Sequence, residues 1–314
     1  MISRRRGLTR RQFSTGSPVP SPLSPILGGA DAEMTLATID THAHVFHRRL
    51  RLAPARRYAP DYDAPLHLYL QELDRNGISN GVLVQPSFLG TDNSYLVESL
   101  REAGGRLRGI AVVDPATSNE ELRALDRVGV VGVRLNLVGK RLPDLVAPEW
   151  RAFLKSVKTM GWQVEVQSNA SDLAMLAPQL LDEGVAVVLD HYGLPDPKLG
   201  VADPGFQSIL KLGASRRVWV KISAPYRHGE AGENLARKAY PLLREAYGVD
   251  RLLWGSDWPH TQFEATQNYA KNLRFLDNLV SDAGERAELL VASRGLFRFQ
   301  HGIGGASSKR RNPC

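Results

Sequence analysis

The residues of this chain best suited to chemistry are histidines, one aspartate and several arginines. His42 and His44 stand one residue apart in I-D-T-H-A-H-V-F, Ile39 to Phe46. On an extended strand, residues two apart face the same side, so both imidazoles project together. His191 closes V-V-L-D-H, and Asp257 closes L-L-W-G-S-D. Three imidazoles and a carboxylate at one place can bind a divalent metal. They can also activate water and polarise a carbonyl without one. Taken alone, an H-x-H pair is as well explained by two hydrogen-bonded core histidines. Together with an aspartate closing the last strand it is a stronger signal. Arg134 sits in G-V-R-L-N, an otherwise apolar strand end, and Arg227 lies in a loop containing proline. Guanidinium pairs with carboxylate in a two-pronged geometry and stays charged at any working pH. Arginines at the same mouth therefore point to an anionic substrate, one with two carboxylates.

These residues need a scaffold that brings distant strand ends together. Eight β-rich runs can be read: Thr35–His44, Gly81–Gln85, Gly109–Asp114, Val130–Asn136, Trp162–Gln167, Ala186–His191, Val218–Ser223 and Leu252–Asp257. Stretches between them carry helix-period apolar patterns, as in Trp150–Met160, Leu173–Leu181 and Leu235–Tyr247. Near-continuous apolar runs suit parallel strands buried on both faces. Eight β/α units in about 270 residues is the size of a (β/α)₈ barrel. A doubly wound sheet is the competitor, but no Gly-rich phosphate loop follows the first strand. Nearly every run ends in a polar side chain, from His44, Gln85 and Asp114 through Arg134, Asn136 and Gln167 to His191, Ser223 and Asp257. In a barrel those ends meet at one mouth.

Composition narrows the class. The chain has 314 residues, 43% apolar and 23% charged, as expected of a soluble globular protein. No run approaches the roughly 18 apolar residues needed to span a bilayer. The one cysteine is Cys314, so a disulfide framework and a core cysteine nucleophile are excluded. The net charge is +7, but residues 1–33 and 302–314 contribute +3 each, leaving about +1 for the body. Basic character confined to the tails argues against nucleic acid as the partner. Residues 1–33 read as a leader or disordered extension, residues 34–301 as one barrel domain, and residues 302–314 as a disordered basic tail. Thr9-Arg10-Arg11-Gln12-Phe13 is similar to a twin-arginine export signal, followed by few large apolar residues. A cytoplasmic location is expected, with the periplasm as the alternative.

The motifs D-T-H-A-H-V-F, Q-P-S, G-V-R-L-N, D-H-Y-G, K-I-S-A-P-Y-R and W-G-S-D-W-P-H together resemble the amidohydrolase superfamily, in its amidohydrolase-2 branch. Within that branch they are most similar to 2-pyrone-4,6-dicarboxylate lactonases and related sugar-lactone hydrolases, over about residues 36–300. The resemblance implies a (β/α)₈ barrel and roles for particular residues. Asp257 matches the aspartate that acts as general base on water. His42, His44 and His191 match the histidines around the scissile carbonyl. Tyr58, Ser87, Arg134, Arg141 and Arg227 match positions that grip the dicarboxylate, and Gln167 and His260 are candidates to join them. The loop R-L-N-L-V-G-K-R is one residue longer than the family pattern, so Lys140 is an alternative to Arg141. Metal-dependent members usually add a lysine or glutamate ligand on strand 4 and a histidine on strand 5. Here those strands offer Arg134 with Asn136, and Gln167. An arginine beside a divalent metal is electrostatically unfavourable. No metal is therefore expected; were zinc or manganese to bind, His42, His44, His191 and Asp257 would be the ligands.

The expected function is hydrolysis of a carboxylated lactone, with the small anionic substrate as partner and no nucleic acid or membrane. A sugar-acid lactone isomerase and a metal-dependent decarboxylase are the alternatives on the same scaffold. A non-catalytic binding protein is a third reading. It leaves the combination of H-x-H, His191 and Asp257 without a purpose.

Overall fold

The computed structural model describes residues 37–299. The leader and tail readings fall outside these residues. Eight parallel strands run in sequential order: β1 (Ile39–Ala43), β2 (Asn80–Val84), β3 (Leu107–Ala111), β4 (Val130–Asn136), β5 (Gln163–Gln167), β6 (Ala186–Leu189), β7 (Val218–Ser223) and β8 (Leu252–Gly255). Helices follow in alternation: α1 (Leu66–Arg75), α2 (Ser94–Glu102), α3 (Asn119–Arg127), α4 (Pro148–Thr159), α5 (Ala170–Asp182), α6 (Pro204–Lys211), α7 (Gly232–Tyr247), α8 (Tyr269–Leu279) and α9 (Ala283–Val291). This is the expected (β/α)₈ barrel. Among the described residues no helix is long and apolar enough to cross a membrane.

The side-chain pattern explains the architecture. In β5, Val164 and Val166 join the apolar layer between sheet and helices, while Gln163, Glu165 and Gln167 alternate with them and are equally buried. Period-2 alternation with both faces buried fits a barrel strand. A smaller apolar cluster of Ile39, Val82, Val84, Ile110, Val131, Val188 and Leu253 fills the barrel interior, with Phe297 and Phe299 packed against it. Several helices start at side-chain caps. Ser118 accepts from the Glu121 amide while Glu121 reaches back to Ser118, and Asn169 and Asn268 cap α5 and α8. Such caps satisfy amides that would otherwise lack a partner at the helix start.

The barrel closes between β1 and β8, where the site lies. The Asp257 amide donates to the His42 carbonyl at 2.8 Å, and the His44 amide to the Trp258 carbonyl at 2.7 Å. Asp40 clamps this seam from below. Its carboxylate accepts from the Ser256 amide at 2.8 Å, the Ser256 hydroxyl at 2.6 Å and the Tyr69 hydroxyl at 3.1 Å. Gly255 permits the approach: a Cβ there would stand 2.7 Å from the His42 Cβ and 2.9 Å from its amide nitrogen. Any larger residue would push Asp257 away from the histidines.

The β-rich runs read from sequence extend past several strands. β1 stops at Ala43, β3 at Ala111 and β8 at Gly255. The polar residues beyond them have left the ladder to form loops. Asp114 is one such residue: its carboxylate accepts from the Ala116 amide at 2.8 Å in a turn, and it is exposed away from the mouth. Gln85 is buried, with its amide spent on the carbonyls of Gly90 and Asp92. Convergence of polar strand ends therefore holds for most of the eight, but not for these two.

Candidate active site

At the C-terminal mouth of the barrel a cavity is lined by His44, Arg57, Tyr58, Ser87, Phe88, Arg134, Asn136, Gln167, His191, Arg227 and Asp257, among others. It encloses about 450 Å³ including its opening to solvent. His42 lies directly beneath, fully buried. Residues from seven of the eight strands or the loops that follow them thus meet at one mouth.

Asp257 is the centre of the arrangement. One oxygen, Oδ2, accepts from Tyr226 Oη at 2.7 Å and Arg227 Nε at 2.7 Å, with Arg227 Nη2 in ion-pair contact at 2.7 Å. The other, Oδ1, is buried, has no hydrogen-bond partner, and lies 3.7 Å from both His42 Nε2 and His44 Nε2. Burial on its own would raise this carboxyl's pKa. The Arg227 charge is the largest opposing effect, and the carboxyl is held well below the usual carboxylate range. Asp257 is therefore a carboxylate at neutral pH, with one lone pair free. Asp257 and His191 also have positive φ angles of 58° and 48°, a conformation uncommon outside glycine.

The histidines are neutral. Burial pushes His191 down to about 3 and lowers His44; it also drives His42 well down, with Lys221 adding to the effect. His42 Nε2 and His44 Nε2 are 3.3 Å apart. His44 Nδ1 is 2.7 Å from the Val84 carbonyl, which can only accept, so that nitrogen carries the proton. His191 Nδ1 is 2.9 Å from Ser223 Oγ.

A second layer lies below the cavity. Lys221, on β7 and wholly buried, forms a short ion pair with Glu165 Oε2, lies 3.4 Å from Asp190 Oδ1, and stands 2.8 Å from His42 Nδ1. Arg134 Nη2 donates to Asp190 Oδ2 at 3.0 Å and to Gln167 Oε1 at 2.8 Å. Two cations thus neutralise two buried carboxylates. Burial, then the Asp190 charge, raises Glu165 to about 7. Burial works against Asp190 as well, but Lys221 and the other cationic neighbours hold its pKa well down.

Most residues expected from the sequence meet here. Arg134, Arg227, Tyr58, Ser87, Gln167, His44, His191 and Asp257 line the cavity, with His42 beneath. His260 is buried beside it, with Nδ1 3.2 Å from Tyr226 Oη, and does not line it. Arg141 and Lys140 are exposed and do not line it either; Gly139 just before them has a φ of +71°. Arg57 lines the cavity where Arg141 does not, with Nη2 donating to Asn136 Oδ1 at 3.2 Å. Sequence reasoning passed over Arg57, Glu165, Asp190, Lys221 and Tyr226. Asp190, Lys221 and Tyr226 stand inside motifs quoted for other reasons. A charge on the inward phase of a strand, as in Q-V-E-V-Q and V-W-V-K-I-S, was the signal available.

Among the described residues, two groups of side chains could hold a metal by type and spacing: His42, His191 and Asp257, and His42, Glu165 and Asp190. A cation contacts each of them. Lys221 Nζ, which can only donate, stands 2.8 Å from His42 Nδ1. Arg227 holds the Asp257 carboxylate in the first group, and Lys221 sits among the ligand atoms of the second.

A family model described as Amidohydrolase matches residues 39–299. The chain belongs to that family. It is 34% identical over 241 residues to a 2-pyrone-4,6-dicarboxylate hydrolase of Comamonas testosteroni, covering 73% of this chain and 78% of that one. A 4-sulfomuconolactone hydrolase of Rhizobium radiobacter is 30% identical over 230 residues, 71% of this chain and 76% of its own. A crystal structure from Acinetobacter baumannii, described as a probable 2-pyrone-4,6-dicarboxylic acid hydrolase with citric acid bound, superposes with a TM-score of 0.81. Its sequence is 41% identical, and the match covers 83% of this chain and 99% of that one.

Proposed function

We propose that this protein hydrolyses a carboxylated lactone, with 2-pyrone-4,6-dicarboxylate the first substrate to try. The observation that carries this reading is Asp257. Its Oδ2 is fixed by three donor contacts, while Oδ1 is buried, unpartnered and turned toward the histidines. A carboxylate so held is a pre-oriented base for one water molecule. The base removes a proton from water, and the hydroxide adds to the lactone carbonyl. His42 and His191 stand where N–H donors would stabilise the developing oxyanion. His44 Nε2, 3.7 Å from Asp257 Oδ1, can take the proton on toward the leaving ring oxygen. The ring C–O bond breaks, giving an open-chain acid and consuming one water.

The substrate class follows from charge. Arg57, Arg134 and Arg227 face one cavity. Arg57 is lowered from its ordinary value, first by burial and then by the charges of Arg134 and Arg227. Cations crowded in this way are relieved by an anion with more than one acidic group. Tyr58, Ser87 and Gln167 add neutral hydrogen-bonding groups at the rim. The names of the relatives, two of which carry dianionic lactones, support the same reading.

The test is hydrolysis of 2-pyrone-4,6-dicarboxylate by enzyme stripped with chelator, followed by loss of the pyrone absorbance. Many turnovers per active site, with net uptake of water, are expected. No turnover with or without added zinc or manganese would refute the reading. Interconversion of lactones without net hydrolysis would show an isomerase instead.

A further inference from the structure

The layer beneath the cavity contains a buried lysine that the reaction above does not use. Lys221 has no exposed surface, and its ammonium bridges Glu165, Asp190 and His42 Nδ1. Burying a lysine is costly unless it is fully paired, so so complete a set of partners calls for a purpose. Its effect on His42 is specific. Two carboxylate oxygens, Asp190 Oδ1 at 3.4 Å and Glu165 Oε1 at 3.6 Å, lie near His42 Nδ1 and could each accept a proton from it. A carboxylate behind a histidine is the usual support of a metal ligand, because it holds the proton on the rear nitrogen and leaves a lone pair at the front. Lys221 is nearer, at 2.8 Å, and can only donate.

We propose that Lys221 is a positioning residue that fixes His42 as the Nε2–H tautomer, so that the ring offers the cavity a hydrogen-bond donor and withholds the lone pair a metal would need. The bonds then run in one direction. Lys221 donates to His42 Nδ1, His42 Nε2–H to His44 Nε2, and His44 Nδ1–H to the Val84 carbonyl. A lactone carbonyl entering the site takes over the His42 donor. Glu165 and Asp190 serve to hold the ammonium in place. The same barrel with Lys221 absent would have a carboxylate-backed histidine beside His44 and Asp257, a metal-binding arrangement. This inference builds on the hydrolytic reading of the site, and its test does not depend on lactone turnover.

The test is ¹⁵N NMR of histidine-labelled protein at neutral pH, with the His42 signals identified by their loss in His42→Gln. Wild-type protein is expected to show His42 protonated on Nε2 and unprotonated on Nδ1. Lys221→Met leaves two carboxylates with one cation, so it is paired with Lys221→Met/Glu165→Gln, which removes a carboxylate together with the ammonium. In the variant that folds, the proton is expected to move to Nδ1, facing Asp190. Zinc affinity, measured by competition with a chromophoric chelator, should then rise about 10- to 100-fold over wild type. A wild-type His42 carrying its proton on Nδ1 would overturn the proposal. So would a folded variant whose zinc affinity equals that of wild type. If neither variant folds, the wild-type spectrum decides alone.

Discussion

Replacing Arg227 by glutamine tests how the proposed base is tuned. Among the described residues, Arg227 is the one full cation in direct contact with Asp257, with Nε and Nη2 each 2.7 Å from Oδ2. Opposite charges about 4 Å apart attract by about 4 kcal/mol at an effective dielectric constant near 20. The Arg227 side chain is 17% exposed, so solvent screening takes part of this. An arginine beside an aspartate typically depresses the carboxyl by about 1–3 pH units. Burial alone would push Asp257 up, so losing the cation leaves that opposing effect dominant. The Tyr226 hydrogen bond at 2.7 Å remains and keeps the side chain oriented. Activity that needs the carboxylate is lost as pH falls through its pKa. In wild type this acid limb of kcat/KM lies below the usual carboxylate range; in Arg227→Gln it should move up by about 1–3 pH units. The assay is initial-rate hydrolysis across pH at low substrate concentration. Arg227 also faces the substrate, so KM should rise too, but a loss of binding lowers the profile without moving its limb. An acid limb at the same pH in both proteins would refute the account of Asp257.

Other perturbations separate binding from folding. Arg57→Met should raise KM for a dianionic lactone about tenfold, with kcat within a few-fold, because Arg57 touches the cavity but none of the proposed reacting groups. An unchanged KM would remove it from the anion site. Arg134→Met should cost about 3 kcal/mol of stability in urea unfolding, since it leaves Asp190 and Glu165 buried with Lys221 as their one cation. Wild-type stability in that variant would contradict the pairing described. His228 is buried against the His191 carbonyl, and burial lowers it to about 4. It stays neutral in the folded state, so its contribution is intact above the unfolded value near 6.5 and is lost as pH falls toward 4. The loss is roughly 3 kcal/mol, and stability measured from pH 7 to 4 should fall less steeply in His228→Gln.

Much of this fold was legible because β-strands of a barrel bury both faces. Runs such as V-V-G-V-R-L-N and V-W-V-K-I-S announce themselves, and β4 and β7 match the expected ranges at both ends. The polar residues just past the other strands were legible as a group but not one by one. Asp114 and Asp257 look alike in sequence, yet one makes a solvent-exposed turn and the other is drawn inward by its amide bond to His42. The histidines and Asp257 could be found because their types and strand-end positions are informative by themselves. The Lys221–Glu165 pair could not: 56 residues separate the partners, and only the curvature of the barrel brings β5 and β7 together beside His42 Nδ1. Arg57 was hidden for a related reason. It lies in a long loop after β1, is itself exposed like the arginines around it, and only the path of that loop brings its guanidinium to Asn136. Arg141, expected from the resemblance to grip the substrate, is exposed and does not line the cavity.

The most direct test of the central claim is single-site replacement of the base, Asp257→Asn, assayed on 2-pyrone-4,6-dicarboxylate beside wild type. The amide nearly preserves the shape of the carboxylate and cannot accept a proton from water. The account predicts that kcat falls by about 10²–10⁴ while KM stays within a few-fold. Turnover within tenfold of wild type would contradict it and move the base to another residue of the cavity.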